Sequence, residues 1–252
     1  MGTWTLWLAY GVCMIGSLIG LSCTARARQA AGRRAKLLWT GLAAVAIGGV
    51  GIWLMHFLAL LGFTVTGAPL RYSVGLTALS GLIAVVVVGG GLAMVTLAEP
   101  RKPRLAAAGI LAGTGVACMH YLGMAAIQFR GSFSYDPLLV VLSFVIAIGA
   151  TTAAFSFAVA VRTVTARFGA AALMGIAVTG MHFTGMSAVA VHLDRGHPPS
   201  SATDVFDLVF PVFVLSGAVI AGLMWALFTT NTTPEPARHA RALLGKAPTE
   251  PR

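Results

Sequence analysis

Charged side chains are scarce in this chain of 252 residues, since Asp, Glu, Lys and Arg together make up 10% of it. Soluble domains carry about 25% charged residues, so the composition excludes an ordinary soluble globular domain. Hydrophobic residues reach 58%, and the mean hydropathy is +0.87. The chain is therefore predicted to be an integral membrane protein.

Cysteines are few, and the short motifs of hydrolytic or nucleotide-binding enzymes are lacking. Cys13, Cys23 and Cys118 all fall within apolar stretches, so they predict no disulfide framework. The sequence has no Gly-x-Ser-x-Gly elbow and no Gly-rich phosphate loop followed by Lys. We therefore expect a protein that is not an enzyme.

Seven apolar stretches are long enough to cross the roughly 30 Å hydrocarbon core of a bilayer as helices. They cover residues 3–23, 37–61, 72–97, 105–128, 137–161, 168–191 and 205–228. The first carries its positive charges after the apolar run, from Arg26 onward, which indicates a retained span and not a signal peptide. The predicted fold class is an all-α integral membrane bundle of seven transmembrane helices, formed by residues 1–230.

The predicted spans contain no ionisable side chain that would indicate a retinal protein or a pump. All three lysines lie in loops or the tail, which excludes a retinal Schiff base. Asp136, Asp194, Asp204 and Asp207 cluster near one end of the spans. Ion pumps normally place carboxylates inside their spans, so pumping is disfavoured.

The distribution of Lys and Arg predicts the orientation. Of the 17 residues, 14 fall in the loops after the first, third and fifth spans and in the C-terminal tail. The other side has only Arg71, Arg130 and Arg195. The positive-inside rule therefore places the N-terminus outside and the C-terminus in the cytoplasm of a multi-pass protein of the cell membrane. We interpret the net charge of +10 as a topology signal and not as nucleic-acid binding.

A block of Met, His and an aromatic residue occurs three times, each time inside an apolar stretch. The copies are Met55-His56-Phe57, Met119-His120-Tyr121 and Met181-His182-Phe183. Histidine is costly to place in lipid, so three copies indicate a shared role within the bilayer. Thioether and imidazole side by side indicate that this role is to hold a metal.

The three blocks mark an internal repeat. Their methionines are 64 and 62 residues apart, and Gly49, Gly113 and Gly175 each precede the block's Met by six residues. This period predicts three two-helix repeats followed by a seventh helix, with the block always on the even-numbered helix. The histidines are then expected roughly 8 to 15 Å below the outer surface, in one layer.

The helical wheel adds methionines to the candidate ligands. His120 and Met124 are four residues apart, as are His182 and Met186, so each pair shares a helix face. In the first repeat the corresponding residue is Leu60, which predicts a weaker contribution from His56. The candidate metal ligands are His56, His120, His182, Met119, Met124, Met181, Met186 and, more weakly, Met55.

This pattern resembles the MHYT domain, a bacterial seven-span integral-membrane sensor domain, over about residues 3–230. The resemblance implies a copper ion bound by the Met and His residues and a sensor of O2, CO or NO. It also implies signalling, since many family members continue into cyclic-di-nucleotide or kinase domains. Only the block at Met119 has Tyr, and Leu122 follows it where the family name has Thr, so a role for the Tyr hydroxyl is not implied for the other two blocks.

Residues 231–252 are too few and too polar to bury a core, so they are expected to form a short disordered cytoplasmic tail. The sequence therefore predicts a membrane-embedded copper-binding sensor of a diatomic gas or of redox state that signals through a separate cytoplasmic partner. Two alternatives remain open, because facing histidines can also ligate haem, and a membrane copper-handling protein would use the same ligands. Either way, the lipid bilayer and a metal are the predicted partners.

Overall fold

A computed structural model of the protein describes residues 3–66, 69–194 and 203–229. Within these residues seven helical spans are long and apolar enough to cross a membrane, as predicted. The second span consists of three consecutive helical segments, and the middle one is π-helical. The helices are α1 (Thr3–Gln29), α2 (Arg33–Ala44), the π-helical segment (Val45–Leu54), α3 (Met55–Leu60), α4 (Val74–Thr96), α5 (Lys102–Ala125), α6 (Pro137–Ala160), α7 (Val164–Ser187) and α8 (Val205–Thr229). The predicted all-α seven-span fold class is confirmed, and the ends differ by a few residues.

Polar side chains at the interfaces of the membrane fix where several helices begin. Ser73 and Thr163 accept hydrogen bonds from the backbone N–H groups of Leu76 and Ala166, which caps α4 and α7. Asp136 caps α6 in the same way, and Pro137 follows it at the first helical position. Because Ser73 is the N-cap, α4 begins at Val74, later than hydropathy alone predicts, and Tyr72 lies outside it.

Short strands connect the helices at the end of the bundle where the Met-His blocks lie. β1 (Arg71–Tyr72) pairs with β2 (Ile127–Gln128) and with β5 (Thr203–Asp204), all antiparallel. β3 (Gly131–Tyr135) and β4 (Val189–Leu193) form a separate antiparallel pair, with Phe133 opposite Val191. We call this the strand end of the bundle and the opposite one the arginine-rich end. The sequence did not predict these strands.

The π-helical segment carries the chain through the centre of the bundle directly before His56. It contains Gly48, Gly49 and Gly51, and 78% of the apolar window of this span is buried, compared with 44% or less for the others. Gly16 of α1 lies so close to the backbone of Gly51 that a Cβ on Gly16 would overlap it. Gly16 and Gly20, four residues apart on α1, therefore serve helix packing within the chain. The π-helical geometry of the second span was not predicted from the sequence.

Candidate metal centre

The repeat places the three histidines at the same level of the bundle. Each lies on an even-numbered span, four or five residues before its helix ends at Leu60, Ala125 or Ser187. At about 1.5 Å per residue this is roughly 6 to 8 Å from the strand end of the helices. The equal spacing within the repeats thus becomes one layer in three dimensions.

Within that layer the three imidazoles converge. His56 Nδ1 lies 3.0 Å from His182 Nδ1 and 3.2 Å from His120 Nδ1. The ring centroids are 5.0 to 5.1 Å apart, with the rings inclined at 75° to 89° to one another. All three side chains are buried, with exposed fractions of 0 to 3%. The arrangement is a compact, nearly threefold cluster, which we call the histidine triad.

Hydrogen bonding alone does not account for the triad. A neutral imidazole has one N–H donor and one lone pair, so two Nδ1 atoms in contact can form a hydrogen bond only when one of them is protonated. His56 Nδ1 faces both of its neighbours, and with one proton or one lone pair it cannot complete a separate bond to each. A metal ion would accept all three lone pairs at once. Nitrogens bound to one metal at about 2.0 Å lie about 3.3 to 3.5 Å apart, within a few tenths of the distances here.

The outer nitrogens of two of the three rings pack against the next repeat. The Nε2 atoms of all three histidines are buried and have no hydrogen-bond partner among the described residues. His56 Nε2 lies against Gly123 of α5, and His120 Nε2 against Gly185 of α7, so closely that a Cβ on either glycine would overlap the ring. These two glycines fix the rings with Nδ1, and not Nε2, directed to the centre of the triad.

The candidate methionines are buried on both sides of the triad. Met55, Met119 and Met181 belong to the large core cluster that extends toward the arginine-rich end. Met124 and Met186 belong to a second cluster at the strand end, together with Leu60, their counterpart in the first repeat. The repeat therefore places a methionine-rich layer on each side of the histidines. Their role as thioether ligands stays a prediction.

Other polar groups near the blocks are not directed into the triad, and the Tyr121 ring lies edge-on to the His120 ring with centroids 4.9 Å apart. The Tyr121 hydroxyl is 2.8 Å from Ser143 Oγ of α6, and Cys118 is exposed on the surface of the bundle. His192, on β4, is exposed and hydrogen-bonds Ser134. His197, which follows His192 by five residues in the sequence, lies outside the described residues. The triad thus consists of His56, His120 and His182 within the described part of the chain.

The glycines against the rings are the feature that sequence reasoning missed. Gly123 and Gly185 each follow their block's Met by four residues, and Ala59 holds that position in the first repeat. A small residue at the same offset in every repeat was a usable signal.

Two stretches of the chain, residues 49–108 and 113–171, match the MHYT family model, whose description is "Bacterial signalling protein N terminal repeat". They contain the first two Met-His blocks. The chain belongs to the MHYT family. The block at Met181 lies beyond the matched residues, but its histidine completes the triad, so the third repeat is recognised by its structure.

Several curated relatives are signalling proteins. The chain is 43% identical over 182 residues to the bifunctional diguanylate cyclase/cyclic di-GMP phosphodiesterase MucR of Pseudomonas aeruginosa, covering 70% of this chain and 26% of that protein. It is 37% identical over 203 residues to the cyclic di-GMP phosphodiesterase NbdA of the same species, covering 76% and 25%. It is 31% identical over 175 residues to the signaling protein YkoW of Bacillus subtilis, covering 66% and 21%.

The chain spans about a quarter or less of the length of these relatives, so the similarity concerns one portion of each and not its whole activity. No solved structure matches the chain. The comparisons confirm the resemblance inferred from the blocks, and the structure adds seven helical spans long and apolar enough to cross a membrane.

Proposed function

We propose that His56, His120 and His182 bind a copper ion through their Nδ1 atoms, and that the domain senses a diatomic gas or redox state. The convergence of three buried Nδ1 atoms is the observation that carries this proposal. Bound copper would supply a redox-active centre with affinity for O2, CO or NO. The protein itself holds the imidazoles in place and excludes water from them.

The surroundings favour copper over harder metals. Carboxylate and carbonyl oxygens suit Mg²⁺ and Ca²⁺, whereas imidazole and thioether suit Cu(I). Within the described residues the triad contains no carboxylate, and Asp136 and Asp194 lie at the strand end, beyond the helices that carry it. Met119, Met124, Met181, Met186 and Met55 supply sulfur in the flanking layers.

The geometry disfavours haem. A bis-histidine haem places its macrocycle between two imidazoles, but here the ring centroids are only 5.0 to 5.1 Å apart and the inner nitrogens 3.0 to 3.2 Å. The rings would have to separate widely to admit a porphyrin. A copper-handling role uses the same ligands, and the near-complete burial of the triad favours a resident ion over one in transit.

The helices offer a route for a signal. Each histidine lies near one end of a span whose other end, at Arg33, Lys102 or Val164, reaches the arginine-rich end of the bundle. A change in the separation of the imidazoles would therefore shift three helices that cross the membrane. We propose that a cytoplasmic partner responds to this shift, in keeping with the naming of the relatives as cyclic di-GMP enzymes and signalling proteins.

The proposed orientation can be tested with reporter fusions. Because 14 of 17 Lys and Arg lie on one side, a reporter that is active only in the cytoplasm should work when fused after Phe228. The same reporter should fail when inserted between Ser132 and Asp136. The reverse pattern would show that the triad lies near the cytoplasmic leaflet, and the sensor would then face the other compartment.

Metal content tests the proposal directly. Protein purified without chelators and loaded anaerobically with Cu(I) should hold equimolar copper and show no visible absorption band, because Cu(I) has a filled d shell. Carbon monoxide should then alter the copper X-ray absorption edge. An intense Soret band would instead establish haem, and protein that retains no metal after loading would refute the metal centre.

A further inference from the structure

A cavity of about 370 Å³ lies at the arginine-rich end, between α1, α7 and α8. It is remote from the histidine triad, which lies near the other end of the same helices. Its lining combines two cations with polar and apolar side chains, among them Ser22, Arg26, Gln29, Arg167, Leu18 and Phe228. No acidic side chain lines it among the described residues.

The two arginines have different surroundings. The guanidinium of Arg26 donates to the carbonyl oxygen of Leu227 at 2.8 Å and lies 5.1 Å from the centre of the Trp39 ring. These contacts fix Arg26 at the C-terminal end of α8, where a cation is favourable. The Nε atom of Arg167 is buried and has no hydrogen-bond partner among the described residues. Capping of α8 therefore explains Arg26 but not Arg167.

A buried guanidinium donor without a partner is costly, so the cavity is suited to an anion that accepts from it. Phosphate oxygens match the fork of a guanidinium, and Ser22 and Gln29 add neutral donors beside it. The first turn of α7 begins at Val164, so its N-terminal dipole also favours negative charge near Arg167.

The position and the apolar wall indicate where the phosphate comes from. α1 ends at Gln29, α8 ends at Thr229 and α7 begins at Val164, so the cavity lies at the level of lipid headgroups. Leu18 lies more than two helical turns deeper on α1 than Arg26, and Leu18 and Met224 continue the cavity toward the hydrocarbon region. Basic pockets between transmembrane helices bind anionic headgroups in this way.

We propose that this cavity binds an anionic phospholipid, with its phosphate between Arg26 and Arg167 and an acyl chain along Leu18 and Met224. The lipid would connect α1 and α7 to α8, the last described helix. It would thereby stabilise the end of the bundle opposite the triad. This site does not depend on the metal centre.

Native mass spectrometry of the full chain in detergent tests the site with three probes: phosphatidylglycerol, phosphatidylcholine and inorganic phosphate. We expect phosphatidylglycerol to remain bound, with about tenfold weaker retention of phosphatidylcholine, because only the former leaves the phosphate charge uncompensated. Arg167→Gln should weaken phosphatidylglycerol binding about tenfold. Arg162→Gln removes an exposed charge at the same end, outside the cavity, and should have no effect.

Arg167→Gln is suited to the test because Arg167 Nε has no hydrogen-bond partner to lose among the described residues. The replacement should therefore not unfold the protein. Arg167→Lys, which keeps the charge but loses the fork, should give an intermediate affinity. Equal retention of the two lipids would overturn the proposal, and so would an Arg162→Gln effect as large as that of Arg167→Gln. Either result would show that lipids bind this end of the bundle only by nonspecific charge attraction. Inorganic phosphate that binds as tightly as the lipid would also overturn it, because the acyl chain would then contribute nothing.

Discussion

Replacing His120 with alanine is expected to lower copper affinity at least about a hundredfold, since losing a direct ligand should cost no less than losing a residue that only orients a ligand. The structure predicts an equally large loss for His182→Ala and His56→Ala. His120→Gln keeps most of the side-chain volume while removing the imidazole, so it separates loss of the ligand from loss of packing. Copper bound per chain after anaerobic loading, with circular dichroism as the check of folding, measures the effect.

His192→Ala is the matched control, because His192 is exposed and bonded to Ser134 away from the triad. It should bind copper like the wild-type protein. Unchanged copper content in all three triad variants would return these histidines to interhelical hydrogen bonding, which contributes about 0.6 kcal/mol on average in membranes.

His56→Ala distinguishes the prediction made from the sequence from the prediction made from the structure. Leu60 stands where the other repeats have Met124 and Met186, so the sequence predicts a smaller loss at His56. The structure places His56 Nδ1 in contact with the Nδ1 atoms of both other histidines, so it is as central to the triad as they are. We therefore expect His56→Ala to be as damaging as the other two.

The sequence predicted the number of spans and the common level of the three histidines for one physical reason, although the level lies nearer the strand end than expected. A lipid-exposed helix must be apolar over a fixed length, and a repeat of 62 to 64 residues returns the chain to the same depth. Neither fact depends on how the helices rotate about their axes. Depth could therefore be predicted for His56, His120 and His182, but not their convergence on one point.

Features that depend on packing between repeats were beyond the sequence argument. The π-helical segment Val45–Leu54 reads as an ordinary apolar helix, and its register is set by contacts such as Gly16 against Gly51. The strands β1 and β5 have two residues each, too few for alternation to show in the sequence. Their pairing depends on loops from three different repeats meeting at one end of the bundle.

The glycines against the triad give the second large expected effect. A Cβ on Gly185 would overlap His120 Nε2, and a Cβ on Gly123 would overlap His56 Nε2. Since helix backbone does not yield easily, the imidazole must tilt and its Nδ1 must leave the centre of the triad. We expect Gly185→Ala and Gly123→Ala each to weaken copper binding about 10- to 100-fold, the range for partners that orient a ligand.

Gly180→Ala on the same helix is the control, because no atom lies within 4 Å of a Cβ at that position. In a helix interior alanine is more favourable than glycine by about 1 kcal/mol, so all three variants gain the same intrinsic propensity. Their differences therefore report contact with the rings. X-ray absorption at the copper edge, compared between Gly180→Ala and Gly185→Ala, measures the coordination directly. If Gly180→Ala and Gly185→Ala bind copper with the same affinity and give the same X-ray absorption edge, Gly185 does not hold the His120 ring. The direction of Nδ1 toward the centre of the triad would then need another cause.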